Sequence, residues 1–354
     1  MSKLIYQYYC PDGLKKRRRV TNSSCLVIKE AEKYGLQWQI IPGTPIVTLT
    51  YKGQTKSYYY QIPSTTTALG QYACNNKKIA SNLLRKAGIS VPHGYRISRT
   101  AVKKDWLKVF NALKKPLVVK PTHGTWGKNI TVHVTDKQQY LQAVELALAY
   151  PGKRHTGAIV EEMFQGQEYR ILLTREKVIG IVKRVSANVV GNGQDSIKKL
   201  IKQKNQQEIR DVKGGGKSHI KIRMDKKLKK FLTAQKLSLT SIPKKDQQVF
   251  LRRVSNISQG GDAIDVTDLV HSSVKKIALQ AIRAIPGLAF TGLDFMTKDV
   301  TKKQNPDSYV VIEINDSPGF DIHDYPYQGK NRHAAREFLF LIFPELKKAK
   351  PPDF

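Results

Sequence analysis

From Pro116 to the end of the chain, short runs of branched residues alternate with helical segments, and this order restricts the fold most. The strand LVVKP precedes a glycine-bearing turn, a returning strand and a helix from about Asp136 to Tyr150. Further segments are strands in AIVEEM, REKVIGIVKRVSANVVG and VFLRRVSNIS, a helix in VHSSVKKIALQAIRAI, paired strands in FTGLDFMTK and YVVIEIN, and a helix around REFLFLIF. The mixture excludes an all-β protein and predicts an α/β (α+β) fold without internal repeats.

The residues before Pro116 are predicted to form a smaller region with fewer helices and strands. Residues 21–41 indicate a capped helix that ends at Gly35 and leads into a strand, and two short strands with a turn at Lys52-Gly53 follow. A second helix begins near Asn75 and ends at Gly88.

The charge balance is unusual. The chain carries 61 lysines and arginines against 28 acidic residues, a formal net charge of +33. Such an excess attracts polyanions or acidic small molecules. The lysine-rich middle favours a folded segment with a solvated surface, because apolar residues are interleaved, although a nucleic-acid arm is the alternative.

The three cysteines, Cys10, Cys25 and Cys74, match no zinc spacing and predict reduced thiols. The N-terminus has its basic residues after the apolar ones, the reverse of a signal peptide, and no apolar run reaches membrane-spanning length. These features predict a cytoplasmic protein without a membrane partner.

A candidate metal site lies near the C-terminus. In YVVIEIND, Val311, Glu313 and Asn315 alternate, so all three side chains are predicted to lie on one face of a strand, and Asp294 in TGLDFM can pair beside them. Carboxylate and amide oxygens suit Mg²⁺, with Mn²⁺ as a substitute. An edge strand that shows polar residues to solvent would give the same pattern.

The turn THGTWGKNI predicts a phosphate-binding loop. Gly124 and Gly127, with Thr125 between them, allow backbone N–H groups to converge on an anion. Lys120 ends the preceding strand and Lys128 lies within the loop, so both can neutralise phosphate oxygens. A plain hairpin turn is the alternative.

The segment IVEEMFQGQEYRILL suits the rest of a nucleotide. Glu161 and Glu162 lie at a strand end, and Glu168 lies on the next strand. A strand end with a short linker can offer backbone groups to an adenine edge and a carboxylate to ribose hydroxyls. Lys183 follows on the partner strand. Surface salt bridges would explain the same residues if nothing else pointed to a nucleotide.

Several motifs occur together in one order: VVKPTHGTWGKNI, IVEEMFQGQEYRILL, VVGNGQDSIKKLIKQKN, VFLRRVSNISQGGDAIDVTDLVH, TGLDF, VVIEINDSPGFDIHDYPYQGKNRH and FLFLIFPE. From roughly residue 20 to 346 the chain resembles the ATP-grasp family of carboxylate–amine ligases. The likeness is greatest to the glutathione-forming members and next to the cyanophycin synthetases. NISQGGDAIDVTD and IHDYPYQGKNRH are its most specific parts.

The resemblance implies a role for each matched residue. ATP would be held by Lys77, Lys120, Gly124, Thr125, Gly127, Lys128, Glu161, Glu162, Glu168 and Lys183, and magnesium by Asp294, Glu313 and Asn315. The acyl substrate would be received by Arg252, Asn256 and Ser258, followed by Gly260 and Gly261. Several members carry an arginine two residues before the metal aspartate, where this chain has Gly292, so Arg252 is predicted to replace it.

The resemblance also implies two α/β subdomains that grip the nucleotide, beside a small N-terminal region. The predicted divisions are 1–74 for the N-terminal region, 75–165 for the lid subdomain, 166–346 for the catalytic subdomain with a lysine-rich insert at 197–245, and 347–354 for a basic tail.

The implied activity is ATP-dependent ligation through an acyl-phosphate. The first substrate pair is γ-glutamylcysteine with glycine. The second is an amino acid with an acidic peptide or polymer, as for cyanophycin synthetases. A basic nucleic-acid-binding protein on a relict scaffold is the alternative of another class, although the sequence shows no aromatic-rich binding motif.

Overall fold

The structure is a computed structural model that describes residues 20–123, 128–151, 156–212 and 216–349. The first elements are α1 (Asn22–Lys33), β1 (Gln37–Ile40), β2 (Ile46–Tyr51), β3 (Gln54–Tyr59) and β4 (Ile62–Pro63). Thr21 caps α1 by accepting from the Ser24 N–H, and the four strands form one antiparallel sheet in chain order. Lys52 and Gly53, both at positive φ, form the predicted turn between β2 and β3.

The next elements are α2 (Ala68–Asn75), α3 (Lys77–Lys86), β5 (Gly94–Ser98), α4 (Lys103–Ala112), β6 (Leu117–Pro121), β7 (Thr131–Val134), α5 (Lys137–Leu148) and β8 (Gly157–Glu162). Strands β5, β8, β6 and β7 pair in that order as an antiparallel sheet, here called the small sheet. It has its own core with Trp106 of α4 and Tyr140 of α5. By contrast, α3 packs its buried Ala80 and Leu84 into the core of the neighbouring sheet.

The remaining elements are β9 (Gln167–Thr174), β10 (Val178–Val185), β11 (Asn188–Val190), α6 (Ile197–Asn205), β12 (Arg210–Asp211), β13 (His219–Ile220), α7 (Lys226–Thr233), β14 (Gln248–Phe250), β15 (Asp262–Asp265), α8 (Ser272–Ala284), β16 (Phe290–Thr297), β17 (Tyr309–Asn315), α9 (Asp321–Asp324) and α10 (Ala334–Ile342). Strands β15, β10, β9, β16 and β17 pair in that order as an antiparallel sheet, here called the large sheet. The mixed α/β architecture predicted from the sequence is confirmed.

The two faces of the large sheet differ. One face, with Ile171 and Leu293, is buried in a core shared with α3 and α8. On the other face, Leu172 and Phe290 pack against α1 and α10. Farther along the same face the side chains become charged, because positions 294 and 170 continue the alternation of Phe290 and Leu172. This charged half of the sheet is where a site can form.

The lysine-rich segment is folded. Helices α6 and α7 bury Ile197, Leu200, Ile201, Leu228 and Leu232 in a cluster with residues of β11 and β14. The predicted strand VFLRRVSNIS is shorter than expected, since only Gln248–Phe250 is β-structure and a 3-10 helix, Ile257–Gln259, follows. Within the described ranges, no helix is long and apolar enough to cross a bilayer.

Candidate functional site

A narrow cleft opens where the small sheet approaches β17 and α3. Its charged lining consists of Lys77 from α3, Lys120 from β6, Glu161 from β8 and Glu313 from β17. Four elements that are distant in the chain therefore bring two cations and two carboxylates to one place. All four residues belong to the nucleotide and metal set predicted from the sequence.

Each of these lysines is paired with one of these carboxylates. Lys77 Nζ lies 2.5 Å from Glu313 Oε1, and Lys120 Nζ lies 2.6 Å from Glu161 Oε2. Lys120 is only 7% exposed, so its ammonium requires such a partner. The cleft is thus lined by two ion pairs whose members come from both sheets and from α3.

A second charged group lies on the charged half of the large sheet. Asp294 Oδ1 accepts from Nη1 of Arg170 at 2.7 Å and lies 3.3 Å from Nη1 of Arg184. Arg184 also donates to Glu168 at 2.7 Å, and the Ser255 hydroxyl donates to the other oxygen of Glu168. Two guanidinium groups therefore converge on the predicted metal carboxylate.

The pKa values of the two guanidinium groups are shifted in opposite directions. Burial lowers the pKa of Arg170, and the carboxylate of Asp294 opposes that effect. For Arg184, burial is outweighed by Asp294 and Glu168, so its pKa is raised above the ordinary value.

The three predicted metal residues lie on adjacent strands. Asp294 on β16 is opposite Glu313 on β17, so their side chains share the charged face, and Asn315 is opposite Gly292. Val311 lies in the apolar core instead, because the pairing register shifts just beyond Asp294, so the prediction that it shares this face is wrong. Within the described ranges, no group of three or more His, Cys, Asp or Glu side chains is arranged to hold a metal by itself. Two carboxylates and an amide oxygen nevertheless suit Mg²⁺, which binds proteins through one or two carboxylates with substrate phosphates completing its shell.

Gly292 leaves space for Arg170. A Cβ atom at position 292 would lie 2.8 Å from Cζ and Nε of Arg170, and the guanidinium donates to the Gly292 carbonyl at 3.2 Å. An arginine from the neighbouring strand thus lies beside Asp294, the predicted metal aspartate. Arg170 and Arg184 are not among the site residues predicted from the sequence. The pattern that could have identified them is the spacing of two residues between Glu168 and Arg170, which places both on one face, with Arg184 on the paired strand.

The predicted acyl-substrate residues have other contacts. Arg252 donates to both carboxylate oxygens of Asp225 at 2.8 Å and to the Arg223 carbonyl at 3.1 Å. Asp225 caps α7, so these contacts hold Arg252 to the insert. Asn256 Oδ1 accepts from the Ser258 N–H at 3.0 Å and from its hydroxyl at 2.8 Å, which shapes the loop before β15.

The other predicted nucleotide residues are dispersed. Lys183 is opposite Tyr169, whose ring lies in the apolar core, so strand alternation places Lys183 on the other face from Arg184. Glu162 accepts from the Lys114 N–H at 3.0 Å and lies 3.3 Å from Nδ1 of His93. Burial raises the pKa of Glu162, but these partners outweigh it and the net shift is downward. Gly124, Thr125 and Gly127 lie outside the described residues, and Lys128 begins the next described segment.

No protein-family model matches the chain. In sequence it is similar to a bifunctional glutathione biosynthesis protein of Clostridium perfringens, with 32% identity over 325 residues, 91% of this chain and 41% of the relative. It is also similar to cyanophycin synthetase of Geminocystis herdmanii, with 30% identity over 328 residues, 92% of this chain and 37% of the relative.

A crystal structure of a bifunctional glutathione synthetase from Pasteurella multocida superposes with a TM-score of 0.70 and 30% identity. The match covers 92% of this chain and 44% of that one. The chain therefore spans about two-fifths of the length of the curated relatives it matches.

Proposed function

Since the chain belongs to the ATP-grasp ligases by sequence and by fold, we propose that it catalyses ATP-dependent joining of a carboxylate to an amine. The observation that carries this proposal is the meeting of Lys77, Lys120, Glu161 and Glu313 in one cleft beside the charged half of the large sheet. The same arrangement provides cations for phosphates and carboxylates for a metal.

Each of these residues has a role in the proposed reaction. Lys77 and Lys120 neutralise the triphosphate, Glu161 accepts from the adenine amine, and Glu168 accepts from the ribose hydroxyls. Asp294, Glu313 and Asn315 would hold Mg²⁺, or Mn²⁺ in its place, and the bound ion would neutralise charge on the phosphate oxygens.

Arg170 and Arg184 take the part that the sequence analysis gave to Arg252. Their guanidinium groups lie at Asp294, where negative charge accumulates as the substrate carboxylate attacks the γ-phosphate and the acyl-phosphate forms. An amine then displaces the phosphate, and no nucleophilic side chain takes part. Asn256 and Ser258 line the loop that would receive the acyl group.

The first substrate pair to consider is γ-glutamylcysteine with glycine, supported by the glutathione-forming relatives and the superposed synthetase. The second is an amino acid with an acidic peptide, since the cyanophycin synthetase relative is almost as similar. Exposed lysines of the insert also favour an acidic substrate: Lys198, Lys199, Lys202, Lys226, Lys227, Lys229 and Lys230.

The test is phosphate release from ATP by the full chain with each substrate alone and with both together, and mass spectrometry of the product. We expect release to require both substrates and magnesium, and the product to carry a new amide bond. Arg170→Gln should abolish most of the release, whereas Arg252→Gln should retain it. Absence of ATP turnover with every carboxylate and amine tested, while polyanions bind tightly, would instead support a basic binding protein.

A further inference from the structure

The ion pair between Lys77 and Glu313 joins parts of the chain that are 236 residues apart. Lys77 is the first residue of α3, whose position is fixed by the Asn76 cap and by burial of Ala80 and Leu84. Glu313 lies on β17, against which α3 packs. The lysine side chain is 17% exposed and the glutamate 34%, so the pair is partly shielded from water. The ammonium is thus held at the carboxylate by the fold itself.

Building on the proposed function, we propose that Lys77 is a specificity-determining residue that makes the enzyme accept the divalent metal only together with a triphosphate. The Lys77 ammonium and a metal ion compete for the same Glu313 oxygen. A free metal ion would displace the ammonium and leave two like charges side by side, which is unfavourable at short range. A nucleotide removes this conflict because its phosphate oxygens give Lys77 a new anionic partner.

The neighbouring groups strengthen this selection. Asp294, the second carboxylate of the predicted metal set, is already engaged by Arg170 and Arg184. On the small sheet, Lys120 is engaged by Glu161 in the same way. A free metal ion therefore meets carboxylates that have cationic partners, and a free triphosphate meets lysines that have anionic partners. The metal–nucleotide complex gives Lys77 and Glu313 new partners at once.

Thermodynamic linkage between metal binding and nucleotide binding makes this exchange measurable. If nucleotide raises the affinity for metal, metal must raise the affinity for nucleotide by the same factor. Removing the Lys77 ammonium should raise the affinity of the free protein for metal, since Glu313 then has no competing cation. The same change should lower nucleotide affinity, because one phosphate partner is lost. A lysine that only binds phosphate would lower nucleotide affinity and leave metal binding unchanged.

The experiment measures Mn²⁺ binding to the full chain from the electron paramagnetic resonance signal of the free ion, with and without a non-hydrolysable ATP analogue. The Mn²⁺ bound by the same concentration of analogue without protein is subtracted. For the unchanged protein we expect Mn²⁺ to bind at least about tenfold more tightly when the analogue is present. Lys77→Met should bind Mn²⁺ about tenfold more tightly than the unchanged protein in the absence of the analogue. Lys78→Met, which alters the exposed neighbour, should behave as the unchanged protein does.

Two results would overturn the inference. One is a Lys77→Met variant, folded by circular dichroism, whose Mn²⁺ affinity without the analogue is not raised. The other is a gain that persists in the double variant Lys77→Met with Glu313→Gln, since the added ion would then lie elsewhere. Failure of the analogue to bind the unchanged protein, even with Mn²⁺, would count against the proposed function itself, so the two failures are distinguishable.

Discussion

At the scale of single residues, replacing Arg170 should affect both catalysis and stability. Arg170→Gln removes the strongest hydrogen-bonding partner of Asp294, and losing one charge-stabilising donor lowers kcat by about 100-fold or more. Breaking this buried pair should also cost about 3–5 kcal/mol of stability. Steady-state ADP release and urea unfolding measure the two effects. Arg252→Gln is the matched control, since it disrupts a bidentate pair held to the insert and should lower stability while most turnover remains.

Gly292 provides a second test of the same contact. In Gly292→Ala the new methyl group would lie 2.7 Å from Pro318 Cβ and 2.8 Å from the Arg170 guanidinium carbon, so one of them must move. We expect a loss of about 1–3 kcal/mol in the free energy of unfolding and a fall in kcat. Gly319→Ala is the control, because its nearest neighbour would be 3.6 Å away. Equal turnover in the two variants would show that the position of the Arg170 side chain does not affect the reaction.

At the scale of elements, the attachment of β13 to β15 predicts how stability changes with pH. His219 Nε2 accepts from the Ala263 N–H at 3.1 Å, and burial, with Arg210 and Lys204 nearby, lowers the pKa of His219 to about 3. In the unfolded chain the imidazole binds a proton below about pH 6.5. Between that value and about pH 3, unfolding therefore takes up a proton at His219. The free energy of unfolding falls as the solution becomes more acidic over this range.

The part of the fall in the free energy of unfolding that is due to His219 should reach about 2 kcal/mol at pH 5, since each pH unit below about 6.5 contributes about 1.4 kcal/mol. Urea unfolding at pH 7 and pH 5 measures it. His219→Gln keeps a side chain that can accept a hydrogen bond but does not titrate, so the difference between the two pH values should shrink by about that amount. An unchanged difference would mean that His219 is not the group that takes up the proton.

Elements set by local sequence could be predicted, and contacts between distant elements could not. The end of α1 before Gly35 and the turn at Lys52-Gly53 follow from residues that tolerate positive φ. The alternation of Glu313 and Asn315 likewise follows from strand geometry, and the opposition of Glu313 and Asp294 only required the two strands to pair. The partner of Arg252 is 27 residues away at the N-terminal cap of α7, and the space beside Gly292 is filled from another strand. Neither contact corresponds to a recognisable pattern of residues in the sequence.

At the scale of the whole molecule, the net charge of +33 makes salt a probe of substrate size. The proposed nucleotide site uses few of these cations, so most of them remain to attract an acidic partner. If γ-glutamylcysteine is the substrate, its apparent KM should rise only slightly between low and high salt, because one or two contacts are screened. A steep rise in KM for an acidic peptide, together with no activity on γ-glutamylcysteine and glycine, would favour the polymer-extending reaction. Steady-state kinetics across a salt series gives the comparison.

The edges of the large sheet bear on how the protein behaves at high concentration. On β15, the outward backbone groups of Ala263 and Asp265 bond to His219, Tyr327 and Gln328, and on β17 the Val311 N–H donates to the Ser90 carbonyl. An exposed strand edge is a template on which a second chain can add its own strand and start an aggregate. Here β13, which belongs to the lysine-rich insert, and the segment before α10 occupy one edge. The insert therefore also protects the protein from aggregation through that edge. A version lacking the segment around His219 should form fibrillar or amorphous precipitate even if its fold survives.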